Sequence, residues 1–473
     1  MESMNYNDLN NAYPKTDAAA IGKQLSESLA GLHKKIVVLD DDPTGVQTVY
    51  GVPVYTGWDQ ESINQGFRDE AMFFILTNSR SFSEEDAVKA NRDIAKAVLA
   101  ASRQYNREFI LVSRGDSTLR GYFPLETNTL RETIEDESAI RYDGEIICPF
   151  FPEGGRYTIN DIHYVLDGET LTPAGQTEFA KDKSFGYRNS DLKLWVEEKT
   201  DGDYRSGEVR SISIEMLRNG GAEAVYYELL KARDFSKVIV NAISYDDIRI
   251  LCIGFCMACA AGRNYIFRSA AAIPKILGGI ADRPLLKRNE LRADNRNGGL
   301  VVVGSHVDKT SRQLQALHGL EGVEFIEFNQ HTVTDAREFS QEILRVKMLA
   351  DSLLRSGRDT VIYTRRERLD IGTGDAQEEL RLSRKISDAV TSFVHDLTLQ
   401  PAYIIAKGGI TSSDIGTKGL GVRRALVLGQ VLQGIPVWET GPESKFPGIP
   451  YIIFPGNVGG ENALREIVEK LRL

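Results

Sequence analysis

The chain has 473 residues, 42% of them hydrophobic and 26% charged, and a formal net charge of −10; the length favours two domains, and the acidic balance argues against broad nucleic-acid or membrane-surface binding, which needs clustered Lys and Arg. Four cysteines make no disulfide framework, and no run reaches the roughly 18 apolar residues of a membrane-spanning helix. The opening MESMNYNDLNNAYPKTDAAA lacks the basic and apolar regions of a secretory signal, so a cytoplasmic protein is expected.

In chain order, residues 1–30 read as a polar leader, partly disordered. Strands are then predicted at Ile36–Leu39, Phe73–Leu76, Phe109–Val112, Glu145–Ile147 and Val238–Val240. A helix is predicted to start at Ser83-Glu84-Glu85-Asp86, a capping residue followed by acidic first-turn residues. It places Ala87, Ala90, Ile94, Ala97, Val98 and Ala101 on one face. The charged stretch DRPLLKRNELRADNRNGG, Asp282–Gly299, reads as a linker, which divides the chain into domains over 31–285 and 286–473. Further strands are predicted at Leu300–Val303, Phe325–Phe328, Val361–Tyr363, Tyr403–Ala406 and Tyr451–Phe454. Strands alternating with helices imply an α/β fold of two domains with mostly parallel sheets.

Ligands of open α/β sheets bind beyond the carboxyl ends of strands, and polar motifs sit at those points. The first strand runs into Asp40-Asp41-Asp42-Pro43-Thr44-Gly45, the second into Thr77-Asn78-Ser79-Arg80, and the third into Arg114-Gly115-Asp116-Ser117-Thr118-Leu119-Arg120-Gly121. Carboxylates there can hold sugar hydroxyls, bind Mg²⁺ or accept a proton, and an arginine fork suits a carboxylate ligand. Read singly, each is equally an acidic turn or a surface loop with internal ion pairs. In the second half, Gly304-Ser305, Gly408-Gly409-Ile410-Thr411 and Gly456-Asn457-Val458-Gly459 follow strands and precede helices. Such loops let backbone N–H groups approach a phosphate, although strand–helix connections also use Gly for turns alone. No G-x-x-x-x-G-K-[ST] occurs. Cys252, Cys256 and Cys259 have the spacing of an iron–sulfur motif, but in LCIGFCMACAAG they read as apolar helix packing.

Taken together, the Asp41-Asp42-Pro43-Thr44-Gly45, Ser79-Arg80 and Arg114–Gly121 motifs, the Pro149–Arg156 segment and the three glycine motifs resemble the four-carbon acid sugar kinase family along most of the chain. The resemblance implies a sugar-acid-binding N-terminal domain, an ATP-binding C-terminal domain and an active site in the cleft between them. Carried over by position, it implies that Asp41, Asp42, Arg80, Arg114, Gly115, Asp116 and Ser117 bind the sugar acid. Ser305, Gly408, Gly409, Ile410, Thr411, Gly456, Asn457 and Gly459 would bind ATP, which would enter with Mg²⁺; no metal ligands are assigned. In this reading Arg80 and Arg114 orient the substrate carboxylate, and Asp116, or in second place Asp41, is the catalytic base. Partners would be the two small molecules, with neither nucleic acid nor membrane; a homo-oligomer is compatible with the sequence. The alternatives are a non-catalytic nucleotide and sugar-acid sensor, and an iron–sulfur enzyme using Cys252, Cys256 and Cys259.

Overall fold

Runs of Ile, Val and Phe become fully buried strands when helices cover both faces of a parallel sheet. The computed structural model describes residues 3–6, 12–367, 369, 376–456 and 458–472, and the chain divides into two units, Met1–Asp282 and Arg283–Leu473. Every apolar run read from the sequence lies within a strand or one residue from it.

The strands of the first unit are β1 (Met4–Asn5), β2 (Lys35–Asp40), β3 (Pro53–Tyr55), β4 (Met72–Leu76), β5 (Phe109–Arg114), β6 (Gly144–Cys148), β7 (Arg156–Ile159), β8 (Ile162–Asp167), β9 (Thr170–Pro173), β10 (Arg210–Ile212), β11 (Ser236–Val240) and β12 (Tyr265–Ser269). Eight form an all-parallel array in the order β10-β11-β6-β12-β5-β2-β4-β3. Val37, Phe73, Phe74, Ile75, Leu111 and Val112 are fully buried in it, and each such side chain stabilises the fold by about 1.5–3 kcal/mol. The helix Glu84–Gln104 forms as predicted: Ser83 caps it, and Ala87, Ala90, Ile94, Ala97, Val98 and Ala101 are all buried. Strands β1, β9, β8 and β7 make a separate antiparallel sheet. Its β7–β8 hairpin turns on Asn160 and Asp161, both at positive φ, where Asn and Asp are the favoured residues after Gly.

The leader is more ordered than expected among its described residues. Asp17 caps a helix over Ala18–Ala30 by accepting from the Ala20 N–H, and the Thr16 hydroxyl donates to Asp246 at 2.5 Å.

In the second unit the strands are β13 (Leu300–Val303), β14 (Val323–Phe328), β15 (Asp359–Thr364), β16 (Ile404–Lys407), β17 (Arg424–Leu432), β18 (Ile435–Thr440) and β19 (Pro450–Phe454). Their order is β17-β18-β19-β16-β13-β15-β14, antiparallel at the β17–β18–β19 end and parallel elsewhere. The expected linker is part of this unit: Leu286 and Leu291 are buried in its hydrophobic core, and the Ala293 N–H bonds the Ala402 carbonyl at 2.7 Å. Its charged residues mask two apolar anchors. Among the described residues no helix is long and apolar enough to cross a membrane.

Candidate active site

β4, β2, β5 and β12 are adjacent parallel strands, so their carboxyl ends share one rim. Asp40 ends β2 in register with Arg114 on β5 and Leu76 on β4, and Ser113 is in register with Arg268 on β12. Pairing alone thus gathers an acid–arginine cluster from distant parts of the sequence. Arg114 Nη1 lies 3.0 Å from Asp40 Oδ1 and 3.5 Å from Asp41 Oδ1. Arg80, in the short turn Ser79–Ser81 after β4, puts Nη2 2.5 Å from Asp42 Oδ2, Nε 3.1 Å from Asp41 Oδ2 and Nη1 3.9 Å from Asp116 Oδ1. Arg120 grips Asp116 with both arms, Nε to Oδ2 at 2.8 Å and Nη2 to Oδ1 at 3.3 Å, while the Thr118 hydroxyl also donates to it.

Arg80 and Arg114, expected to face a ligand carboxylate, are thus already engaged by carboxylates of the protein. Three aspartates at one buried strand end require counter-charges nearby. Beneath them, Arg268 donates to Glu126 Oε2 at 2.7 Å and to the Ser113 hydroxyl at 3.0 Å, and Glu126 also accepts the Ser79 hydroxyl. This ties the residues preceding Arg80 and Arg114 to one support. Gly115 donates its N–H to the Ser269 carbonyl at 2.9 Å. Gly121, at φ +121°, has a backbone conformation that disfavours a side chain, and a Cβ there would lie 3.0 Å from Arg268 Nη2. The Ser117 carbonyl accepts from His163 Nε2 at 2.8 Å. His163 Nδ1 lies 3.0 Å from the Thr158 hydroxyl, and burial pushes the imidazole down to about 4, so the ring is neutral.

The carboxylates are not equivalent. Burial raises Asp40 to about 7, against the opposing pull of Arg114. Burial likewise raises Asp41 to about 6, although Arg80 and Arg114 oppose it. For Asp42 and Asp116 the same burial is outweighed: Arg80 and the Thr44 hydrogen bonds hold Asp42 low, and Arg120 with Arg80 holds Asp116 far below the usual carboxylate range. Asp41 Oδ2 and Arg80 Nε are both buried without a hydrogen-bond partner, because their 3.1 Å approach is an ion pair of poor angle. Asp41 Oδ2 therefore has an ion-pair neighbour but no hydrogen-bond donor.

The sequence reading leaves out Asp40, Arg120, Glu126 and Arg268 as site residues. Asp40 and Arg120 lie within the motifs that it quotes, whereas Arg268 sits on a strand, YIFRS, that it does not identify. A cavity of about 710 Å³, lined by Lys34, Arg107, Glu108 and Cys256 among others, lies at the opposite ends of these strands, away from the cluster.

In the second unit β13, β16 and β19 are neighbours, and the loops after them converge. Thr310 Oγ1 lies 3.3 Å from Ser305 Oγ and donates to the Gly456 carbonyl at 3.2 Å. Gly408, at φ +120°, lies against Ser305 and Thr411: a Cβ there would be 3.1 Å from Ser305 Cβ and 3.3 Å from Thr411 Oγ1. Gly409, Ile410 and Thr411 open the short helix Gly409–Asp414, with Ile410 exposed. The Gln313 carboxamide donates to the Val458 and Gly460 carbonyls at 3.1 and 2.8 Å, fixing the backbone on either side of Gly459. Asn457 lies outside the described residues. Lys407, which leads into the Gly408-Gly409-Ile410-Thr411 motif but is given no role in the sequence reading, is fully buried and donates to the Pro455 carbonyl at 2.7 Å; burial, with Lys309 nearby, pushes its amine down to about 7.

Cys252, Cys256 and Cys259 lie buried in the helix Tyr245–Ala260. Burial raises all three thiols, Cys256 to about 11 and Cys259 to about 12, which opposes the thiolate form that metals bind. Among the described residues no group of three or more His, Cys, Asp or Glu is placed to hold a metal ion.

Two family models match. One described as a sugar-binding N-terminal domain covers residues 36–277, and one described as a nucleotide-binding C-terminal domain covers 300–464. A D-erythronate kinase of Heliobacterium modesticaldum is 23% identical over 325 residues; the match takes in 66% of this chain and 66% of that protein, just under two thirds of its length. Two solved structures have the same fold. A Haemophilus influenzae protein gives a TM-score of 0.59 at 16% identity, with 92% of this chain and 100% of that one covered. A Salmonella typhimurium protein described as a tRNA synthase gives 0.64 at 15% identity, with 92% and 98% covered. With both of its domain types matched, one after the other, the chain belongs to the four-carbon acid sugar kinase family.

Proposed function

We propose that the chain is an ATP-dependent kinase that phosphorylates the terminal hydroxyl of a four-carbon sugar acid such as erythronate, threonate or a 3-oxo-tetronate. Support comes from the family, from the D-erythronate kinase relative, and from the strand-end loops gathered within each unit. The observation that carries the chemistry is Asp41: a buried carboxylate, raised to about 6, with one oxygen lacking a hydrogen-bond partner.

In this reading the acceptor hydroxyl donates to Asp41. As its oxygen bonds the γ-phosphorus and the bond to the ADP oxygen breaks, the hydroxyl proton passes to Asp41. A carboxylate near 6 is mostly ionised at neutral pH and still a useful acceptor. Asp116, held low by Arg120, is the weaker base and serves to orient the substrate. Arg80 and Arg114 set the charge of the aspartates that hold the hydroxyls, with Asp42, Gly115 and Ser117 completing the first unit's contacts. Ser305, Gly408 through Thr411, Gly456 and Gly459 hold the nucleotide phosphates through backbone N–H groups and hydroxyls. Mg²⁺ would enter with ATP and would supply neutralisation of the charge on the transferring phosphoryl group. Use of ATP suits a cytoplasmic enzyme.

The test is coupled ADP release against D-erythronate, D-threonate and 3-oxo-tetronates, with the position of the product phosphate read by NMR. Release with one acid and a 4-phosphate product is the expected result. No release with any of these acids would overturn the proposal.

A further inference from the structure

One guanidinium near the cluster makes no salt bridge among the described residues, although Asp116 acts on it from a distance. Arg156 opens β7, whose hairpin partner β8 carries His163, the residue bonded to the Ser117 carbonyl. The Tyr187 hydroxyl donates to the Thr118 carbonyl at 2.8 Å and so fixes the same loop. On this frame the Arg156 Cζ lies 5.4 Å from the Phe179 ring centroid, and the Arg120 Cζ lies 5.1 Å from it.

The two arginines differ. Arg120 is closed by its fork to Asp116. Arg156 has no carboxylate within ion-pair distance among the described residues. Its Nη1 donates to the Gly154 carbonyl, and its Nε is buried without a partner. Burial lowers the affinity of Arg156 for its proton, and Arg120 lowers it further, with Asp116 opposing. A partly buried guanidinium beside another one, paired only with a backbone carbonyl, is poorly compensated until an anion arrives. A planar carboxylate suits an arginine fork.

We infer that Arg156 receives the carboxylate of the substrate, an acyclic hydroxy acid. This rests on the kinase reading. It gives the ligand a direction, with the acid group at Arg156 and the acceptor hydroxyl at Asp41. Asp116, paired with Arg120 and facing Arg80, acts electrostatically on Arg156 as well. The same arrangement selects an acid over the neutral polyol of equal length.

The test compares wild type, Arg156→Gln and Arg156→Lys with D-erythronate and with erythritol, its neutral counterpart. Turnover and the thermal shift given by each compound are both measured. In Arg156→Gln the KM for the acid is expected to rise about tenfold or more, the size of one lost charge-assisted contact. The KM for ATP stays unchanged, and any response to erythritol is unaltered. Arg156→Lys falls between and carries the test if Arg156→Gln does not fold. An acid KM and acid-induced shift equal to wild type in the variants would overturn the inference while leaving the kinase reading intact. A wild-type shift lost in Arg156→Gln, with no ADP released, would keep Arg156 as the anion site and remove the kinase reading. No shift and no turnover in wild type, with D-threonate and 3-oxo-tetronates also tried in place of D-erythronate, would overturn both.

Discussion

Arg114 Nη1 lies 3.0 Å from Asp40 Oδ1, and each of these side chains is at most 5% exposed. The contact joins the ends of two neighbouring parallel strands. The arginine also reaches Asp41, so its removal leaves two buried carboxylates without this partner. Arg114→Met should therefore destabilise the first unit by about 3–5 kcal/mol at pH 8, as measured by urea unfolding. At pH 5 the deficit should shrink, because both carboxylates take up protons readily. A loss below about 1 kcal/mol at pH 8 would show that the pair carries little of the fold.

Asp40 offers a test in which the sign decides. Its folded-state value is raised to about 7 from an ordinary 3.8, so the folded chain binds the proton more tightly than the unfolded one. The stability that this group contributes is complete below the ordinary carboxylate range and is lost as pH rises through about 7. Asp40→Asn does not undergo that loss. The melting temperature of the variant relative to wild type should rise between pH 5 and pH 8. A difference that is flat with pH would mean that Asp40 is ionised throughout the range.

The two candidate bases separate kinetically. Asp41→Asn should lower kcat by about 10²–10⁴, the usual range for a general base, with the KM for ATP unchanged. Wild-type kcat/KM should fall as pH drops through about 6, the value to which Asp41 is raised. Asp116→Asn should act mainly on the KM for the acid. The reverse ranking in steady-state ADP release would move the base to Asp116.

The nucleotide loops can be probed apart from the acid site. Gly408 sits at φ +120° against Ser305 and Thr411, so Gly408→Ala strains the turn and pushes the loops apart. The KM for ATP should rise about tenfold or more while the thermal shift given by the sugar acid persists. Loss of both ligands together would show a collapsed fold rather than an altered loop.

What the sequence reveals and what it hides follow from periodicity. The central strands are legible because burial on both faces leaves an unbroken apolar run, as in Lys35–Asp40 and Met72–Leu76. Arg424–Leu432 alternates buried and half-exposed residues, and that weaker pattern goes unread. Tyr265–Ser269 ends in a polar Arg-Ser although it is fully buried, and with this strand Arg268 is lost from view. Motifs at strand ends identify Asp41, Arg80 and Arg114, but not which of them pair with each other. That depends on strand order, which places β5 and β4 on either side of β2. The linker misleads for a related reason: Leu286 and Leu291 are isolated among charges, and only the fold shows that they are anchors.

Strand order also has a temporal consequence. The acid–arginine cluster draws on β2, β4, β5 and, last to be made, β12. A chain still emerging from the ribosome holds Asp40, Arg80 and Arg114 long before Arg268 exists to brace them through Glu126 and Ser113. Until synthesis passes Ser269, the sheet on which those charges rest lacks the strand that joins β5 to β6. Affinity for the acid should therefore appear abruptly near the end of the first unit's translation, and truncated fragments ending before Tyr265 should bind none.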